Sequence, residues 1–362
     1  MVDVKDAPQA TGLVTASNYG NRYIGRERVT GSVSLNDLNG QGDQLSLAST
    51  RGWHSDYEYA QISYALPLSV QGWRLGLSVS DLRFGLGEEL ASQHTSGTAR
   101  DYGVDLRYPL VRTSRYNVYA NVGYNLKDFY NETAGTATSS KRFDVLNVGL
   151  NSDRADGWMG GGVTLAGVAV SLGQLDLTGN QSNWTSDQGA TGPHTQGTYT
   201  KLGWNLARIQ HVTRDLKVIA QLTGQFSDNN LDPAEKFQLG GPSGIRAYPA
   251  GEGLGDQGVR ATLETRYRLG EDALFGDISL MGFYDWGAIQ QYRNSQNLGI
   301  TTPNRYDIAG YGVGLSVSKS AQHEMRVMWA QQAGSNPGLV NGKDSEGSDA
   351  RRRLWVAVSK YF

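Results

Sequence analysis

Apolar and polar residues alternate along almost the whole chain, and this alternation limits its possible folds more than any other feature. Successive side chains of a β-strand point to opposite faces, whereas an amphipathic helix repeats about every 3.6 residues, and helical periodicity is almost absent here. In one segment, Leu263 and Tyr267 alternate with Glu264, Arg266 and Arg268. The sequence therefore predicts an all-β protein whose strands have one apolar face and one polar face.

Sixteen segments carry the alternating pattern, and no linker or shift in composition divides them. We therefore expect a single domain that covers residues 1–362. The predicted strands cover residues 11–20, 26–36, 43–51, 56–68, 71–85, 99–111, 114–129, 139–152, 158–176, 195–211, 214–227, 257–269, 274–287, 305–318, 322–332 and 351–362.

The connections between the predicted strands alternate in length. Short ones fall at residues 37–42, 69–70, 112–113, 153–157, 212–213, 270–273 and 320–321, and long ones at 86–98, 177–194, 228–256, 288–304 and 333–350. Short turns at one rim, long loops at the other and an even number of strands are typical of a bacterial outer-membrane barrel. We predict a 16-stranded antiparallel transmembrane β-barrel, in preference to a soluble sandwich or a soluble barrel.

The composition is compatible with that prediction. Mean hydropathy is −0.45, and no apolar run approaches the roughly 18 residues of a membrane helix, but only alternate residues of a barrel strand face lipid. The net charge of −2 gives no indication of nucleic-acid binding. The absence of cysteine excludes disulfides and thiolate metal sites.

The polar face of residues 259–269 is strongly charged, which suggests a water-filled interior. We expect Arg260, Glu264, Arg266 and Arg268 to face the lumen. The opposite face of the same segment is apolar and suits contact with lipid.

The longest connection, residues 228–256, is expected to fold back into the barrel between strands 11 and 12. It contains Arg246, braced by Ile245 and Tyr248, and long loops in compact folds are usually functional or disordered. Asp285, two strands further along, falls on the inward face, where an unpaired charge costs free energy. A bidentate pair between Arg246 and Asp285 would satisfy both groups, although the pattern alone leaves open whether the two charges are separately solvated.

Two motifs resemble those of the two-partner secretion transporters, a family whose superfamily also contains the barrel-assembly insertases. The loop Gly240-Gly-Pro-Ser-Gly-Ile-Arg-Ala-Tyr248 is similar to that family's Val-Arg-Gly-Tyr or Val-Arg-Gly-Phe loop, and Phe283-Tyr-Asp-Trp-Gly287 to its Phe-x-Asp-x-Gly strand. The spacing agrees as well, because eleven predicted strands precede the loop. The matched residues are Gly240, Gly241, Ile245, Arg246, Ala247 and Tyr248 in the loop and Phe283, Asp285 and Gly287 in the strand.

One departure from the family pattern concerns the loop backbone. Ala247 stands where the family usually has glycine. A turn at this position must therefore avoid positive φ, or accept alanine there at some energetic cost.

The resemblance implies a monomeric pore in the outer membrane of a Gram-negative cell, surrounded by outer-membrane lipid and inserted by the barrel-assembly machinery. Its implied substrate is a large β-helical exoprotein (a hemolysin, an adhesin or a contact-dependent inhibition toxin), exported without ATP. The family's periplasmic polypeptide-binding domains, linker and plug helix have no counterpart here, and residues 1–6 lack the apolar region of a signal peptide. We therefore expect this sequence to be the barrel portion of a longer chain.

Two other functions remain open from the sequence. One is a passive solute channel or plugged porin, with the long loop as its constriction. The other is a barrel-assembly insertase, which shares the arginine-loop architecture and would be favoured by a weak seam between the first and last strands.

The remaining motifs do not indicate an enzyme, a cofactor or a metal. Residues 253–258 match Gly-x-Gly-x-x-Gly but lead into a strand, whereas a dinucleotide site needs a helix there. The five histidines show no spacing typical of metal ligands, and no pair of nucleophile and base is visible. Carboxylates in the loops at 86–98 and 333–350 are expected to be solvated.

Overall fold

The computed structural model describes residues 8–272 and 274–362, which form a closed antiparallel β-barrel of sixteen strands and a separate two-stranded ribbon. The ribbon pairs β12 (Phe237–Gln238) with β13 (Leu254–Gly255). The barrel strands are β1 Ala10–Ser17, β2 Arg28–Asn36, β3 Gln44–Gly52, β4 Glu58–Pro67, β5 Arg74–Gly85, β6 Thr95–Arg112, β7 Tyr116–Thr133, β8 Thr136–Asp156, β9 Gly162–Asp176, β10 Gly197–His211, β11 Leu216–Ser227, β14 Gln257–Asp272, β15 Gly276–Gln290, β16 Arg305–Lys319, β17 His323–Ala333 and β18 Arg352–Tyr361.

Each barrel strand pairs with its neighbours along the chain, and β1 pairs with β18 to close the barrel. Strand β11 pairs directly with β14, so the whole segment 228–256, including the ribbon, is an insertion between adjacent barrel strands. Closure leaves no unpaired strand edge, which is the condition that a bilayer imposes on a β-structure. The predicted 16-stranded barrel is therefore confirmed.

The two faces of the wall differ in the way the alternation predicts. Large apolar side chains such as Leu263, Val313 and Leu354 are more than half exposed on the outer face. The side chains between them in sequence point inward, and they include many polar residues and glycines. Within the described residues, no helix is both long and apolar enough to cross a membrane.

Short helices occupy several connections. The four 3-10 helices among the described residues are Arg22–Ile24, Glu88–Gln93, Trp158–Gly160 and Pro233–Glu235, and the α-helix α1 is Gln181–Gln188. Helix α1 was not predicted, because its single large apolar residue, Trp184, does not form an apolar face. Its start is nevertheless marked by Asn180, whose side chain accepts a hydrogen bond from the amide of Asn183 at 2.9 Å.

Strands β6, β7 and β8 are longer than predicted. Strand β6 begins at Thr95, inside the predicted loop, and β7 and β8 meet at a two-residue turn, Ala134-Gly135, with φ of 49° and 76°. Polar residues on both faces near this turn hide the alternation. Of the predicted short connection at 270–273, Ala273 lies outside the described residues.

Candidate functional site

The segment between β11 and β14 is a compact hairpin whose base is the β12–β13 ribbon. At its tip the amide of Ile245 donates to the carbonyl of Leu239 at 2.8 Å, and the amide of Tyr248 donates to the carbonyl of Ile245 at 3.1 Å. Gly241 has a φ of 113°, a conformation that L-residues rarely adopt. These bonds hold residues 239–249 in a compact turn that presents Arg246. We call this turn the arginine loop.

Arg246 forms a bidentate pair with Asp285 on the inner face of β15. Its Nε donates to Oδ2 and its Nη2 to Oδ1, both at 2.9 Å, and the Arg246 amide also donates to Oδ2 at 3.1 Å. The Thr262 hydroxyl supplies one more hydrogen bond to Oδ1, at 2.9 Å. Asp285 is completely buried, so its charge is compensated by these donors in place of water.

A second carboxylate and an aromatic ring complete the surroundings of the guanidinium. Arg246 Nη1 donates to Glu264 on β14, which also accepts from Arg266 at 2.6 Å. The guanidinium lies 3.4 Å from the centroid of the Phe283 ring, a cation–π contact. Burial alone would lower the pKa of Arg246, but the hydrogen bonds and charges of Asp285 and Glu264 outweigh it and raise that pKa.

Glycines in the wall give the arginine loop its close fit. A Cβ atom on Gly310 of β16 would lie 2.5 Å from the Ala247 Cβ, and one on Gly287 would lie 2.6 Å from Leu239. Ala247 is not among the residues with positive φ, so alanine fits this loop without backbone strain. The extra methyl group, relative to the family's glycine, occupies the space over Gly310.

Apolar packing surrounds the ion pair. Ile245, Ala247 and Tyr248 are fully buried, and Trp355 of β18 donates from Nε1 to the carbonyl of Arg246 at 2.7 Å. The Trp355 ring also meets Tyr19 edge to face at 5.9 Å. The buried cluster consists of Leu239, Ile245, Ala247, Tyr248, Met281, Phe283, Ile289, Ile308, Met328, Ala330 and Trp355.

The structure brings most of the predicted residues together. Strand register places Arg260, Glu264, Arg266 and Arg268 on the same face of β14, opposite Gly287, Phe283, Met281 and Ser279 respectively. Arg260 lies beside the arginine loop, with Nη1 3.4 Å from the carbonyl of Gln238. Arg268 is remote from the site, near the short-turn rim, where it pairs with Asp277 and Glu271.

A second attachment, which the sequence did not indicate, lies at residues 228–236. Glu235 is buried between Lys127 of β7 and Lys201 of β10, with N–O distances of 2.8 Å and 2.5 Å. Asp232 pairs with Lys141 of β8 at 2.6 Å. Three lysines on inward strand faces were the available signal, because a lysine that faces inward requires a partner. We call this group the lysine anchor.

Burial and charge oppose each other at Glu235. Burial alone would raise the pKa of Glu235, but Lys201 and Lys127 outweigh it and hold the pKa below its ordinary value of 4.5. Beside this group, Leu231 enters an apolar cluster whose other members are Phe143, Val145, Leu175, Leu177 and Tyr199. The insertion is therefore held at two separate places on the wall.

Contrary to expectation, two carboxylates of the loop at 333–350 are buried. Glu346 is fully buried and pairs with Arg26 at 3.2 Å and with Arg353 at 2.6 Å. Asp344 pairs with Arg353 at 2.6 Å. Sequence patterns could not reveal this contact, because the arginines come from opposite ends of the chain.

The closed 16-stranded barrel, with an apolar outer face and an arginine loop docked on its wall, defines an outer-membrane β-barrel protein. The sequence profile of the haemolysin secretion/activation proteins ShlB/FhaC/HecB matches residues 2–317. The chain belongs to this family, which places the barrel in the outer membrane of a Gram-negative cell.

Individual proteins agree with this assignment. The chain is 26% identical over 365 residues to the heme/hemopexin transporter protein HuxB of Haemophilus influenzae strain 86-028NP, with 100% of this chain and 62% of the relative covered. It is 22% identical over 330 residues to the outer membrane transporter CdiB of Dickeya dadantii, with 86% of this chain and 57% of the relative covered. The chain thus spans about three fifths of the length of these relatives.

Solved structures share the fold. CdiB from Escherichia coli superposes with a TM-score of 0.81 at 16% identity, covering 99% of this chain and 64% of that chain. BamA from Haemophilus ducreyi gives a TM-score of 0.66 at 13% identity, covering 98% of this chain and 70% of that chain.

Proposed function

We propose that this protein is the translocation pore of a two-partner secretion system, which exports a large exoprotein of β-helical character and catalyses no reaction. One observation carries the proposal. In a barrel of this family, Arg246 of a buried loop forms ion pairs with Asp285 and Glu264 of the barrel wall. Such a pair is strongly biased toward one geometry, because separating it leaves uncompensated charge.

In this proposal the arginine loop is a lumenal element that maintains the pore in its working conformation. Phe283, Asp285 and Gly287 form the wall side of the contact, and Ile245, Arg246, Ala247 and Tyr248 form the loop side. Gly240 and Gly241 allow the tight backbone, since a Cβ on Gly240 would lie 2.3 Å from the carbonyl oxygen of Pro249. Folding of stacked repeats outside the cell would bias movement outward without ATP.

The names of the relatives suggest the kinds of cargo. HuxB is described as a heme/hemopexin transporter protein and CdiB as an outer membrane transporter. We propose a secreted hemolysin, adhesin or contact-dependent inhibition toxin as the partner here. The barrel would be inserted by the assembly machinery, would work as a monomer, and would contact lipid through its apolar outer face.

A secretion assay tests this function. We expect cells that lack the protein to retain the exoprotein encoded in the neighbouring gene, and cells that regain it to release that exoprotein into the medium. Export at the same level with and without the protein would contradict the proposal. Conductance with solute selectivity and no effect on any secreted protein would indicate a passive channel in its place.

The seam between the first and last strands makes an insertase the second candidate. Strands β1 and β18 share five register pairs, from Leu13–Tyr361 to Ser17–Ala357. The adjoining ladder between β17 and β18 has nine register pairs. An insertase would accelerate the assembly of other barrel proteins into liposomes, whereas a secretion pore would not, so this assay separates the two functions.

A further inference from the structure

The inserted segment covers only part of the inner wall. Hydrogen bonds and ion pairs of residues 228–256 reach β7, β8, β10, β11, β14, β15, β17 and β18. In the part of the chain that the structure describes, none of these bonds reaches β2, β3, β4, β5 or β6. The inner faces of β2 to β5 therefore form a wall that the insertion leaves open.

The middle of the open wall consists mainly of small hydroxyl side chains. Ser34, Ser46, Ser63 and Ser78 lie in register across the four adjacent strands. The wall, which we call the hydroxyl wall, contains Thr30, Ser32, Ser34, Ser46, Thr50, Gln61, Ser63, Ser78 and Ser80. None of these side chains is buried, so each retains contact with the lumen.

Hydrogen bonds link neighbouring side chains within the hydroxyl wall. The hydroxyls of Ser34 and Ser46 are 3.0 Å apart, and those of Thr30 and Thr50 are 2.9 Å apart. Each hydroxyl still has spare capacity, because it can donate once and accept twice. Such groups can exchange partners without large rearrangement.

The hydroxyl wall contrasts with the wall beneath the arginine loop. On the inner faces of β2 to β5 the charged side chains, Arg28 and Arg74, stand only at strand ends, whereas Arg260, Glu264, Arg266 and Asp285 lie together on β14 and β15. Channels that select ions use rings of charged groups or aligned carbonyls, and the hydroxyl wall has no such ring. Its chemistry therefore favours a long polar solute over an ion.

An extended polypeptide fits these properties. It presents an amide donor and a carbonyl acceptor at every residue except proline, and hydroxyl groups can bond to either in any register. A neutral surface neither repels nor traps the charged side chains of a passing chain, and short side chains leave space for bulky ones. Each contact is weak enough to break as the chain advances.

We propose that the exported polypeptide moves in extended form along the hydroxyl wall, opposite the docked arginine loop. The proposal rests on the secretion function proposed above and adds the route through the barrel. The wall forms weak, reversible hydrogen bonds with peptide backbone and does not recognise sequence.

Cross-linking to a stalled exoprotein tests the route. The chain contains no cysteine, so Ser34→Cys, Ser63→Cys and Ser78→Cys each introduce a single thiol. The probe is the secreted protein of the neighbouring gene, stalled by a tightly folded C-terminal fusion and carrying single cysteines, with a short bismaleimide as linker. Ser279→Cys on the inner face of β15 and Ser49→Cys on the outer face of β3 are matched controls.

We expect the three wall variants to cross-link severalfold more than either control. Yields that are equal at Ser279→Cys, or higher there, would overturn the route and leave the secretion function intact. If the unmodified protein releases no exoprotein, the secretion function fails, and the route fails with it.

Discussion

At the scale of single residues, the site depends on the match between a charged side chain and the space around it. Arg246 satisfies two buried carboxylates, and Gly310 leaves the space that Ala247 fills. The ion pair favours the docked position of the arginine loop, because an unpaired Asp285 cannot reach water. The contact with Gly310 favours the same position through shape, because a closely packed site tolerates little added volume.

Replacing Arg246 with methionine tests the charge contact. The change leaves Asp285 and Glu264 buried without their guanidinium, and losing one partner of a buried pair costs about 3–5 kcal/mol. We expect amide hydrogen exchange in residues 239–249 to accelerate by roughly two to four orders of magnitude, since about 1.4 kcal/mol corresponds to a tenfold change. Exchange is measured on the purified barrel in detergent.

The control for that variant is Arg305→Met. Arg305 is exposed and donates to Gln290 at 3.1 Å, away from the arginine loop. Its loss should leave the exchange of residues 239–249 unchanged. Equal protection in Arg246→Met and the unmodified protein would show that the pair does not hold the loop.

Replacing Gly310 with alanine tests the shape contact. The new methyl group would lie 2.5 Å from the Ala247 Cβ, and overpacking of this kind costs about 1–3 kcal/mol. We expect Gly310→Ala to loosen the arginine loop, measured by the same exchange experiment. The double variant Gly310→Ala, Ala247→Gly should recover most of the protection, and failure to recover would refute the proposed fit.

At the scale of elements, segment 228–256 is held by two unlike attachments, the arginine loop and the lysine anchor. The arginine loop combines an ion pair with apolar packing on β14 to β18. The lysine anchor depends on charges from β7, β8 and β10. Both attachments contain buried carboxylates, and Glu235 allows the pH dependence of the lysine anchor to be measured.

Acid should weaken the lysine anchor. The pKa of Glu235 in the folded protein lies below its ordinary value of 4.5, so its ionised form stabilises the anchor. This contribution is fully present above pH 4.5 and is lost as the pH falls through the lower, folded-state pKa. Glu235→Gln should lower the melting temperature by a constant amount above pH 4.5, with the difference vanishing in stronger acid.

Thermal unfolding of the two proteins at several pH values, followed by circular dichroism, checks this expectation. Thr138→Val, which removes an exposed hydroxyl bonded to the carbonyl of Asn131, is a control that should show no such pH dependence. A difference between Glu235→Gln and the unmodified protein that persists unchanged in strong acid would exclude Glu235 as the titrating group.

At the scale of the whole molecule, the alternation of residues predicted the strands, and the alternating lengths of the connections predicted the barrel. All sixteen predicted strands overlap the observed barrel strands, because one face must meet an apolar environment and the other a polar one. The pattern alone left open whether Arg246 pairs with Asp285, and the resemblance of the two motifs to those of a known family favoured the pair. The fit of Ala247 over Gly310 was not foreseeable, because it depends on a distance between two elements far apart in sequence.

The lysine anchor and helix α1 mark the limits of the sequence patterns. Lys127, Lys141 and Lys201 lie on three different strands, and nothing in the local sequence indicates that Glu235 or Asp232 would reach them. Helix α1 has no apolar face, so its existence depends on the loops around it. Local patterns specify the wall, whereas the contents of the lumen follow from long-range contacts.

The most direct test of the account measures secretion and barrel assembly in the same cells for Arg246→Ala and Asp285→Ala. We expect each variant to accumulate in the outer membrane at the normal level and to release almost no exoprotein, because the arginine loop has lost its attachment to the wall. Normal release by either variant would contradict the claim that this docked loop maintains the pore in its working conformation.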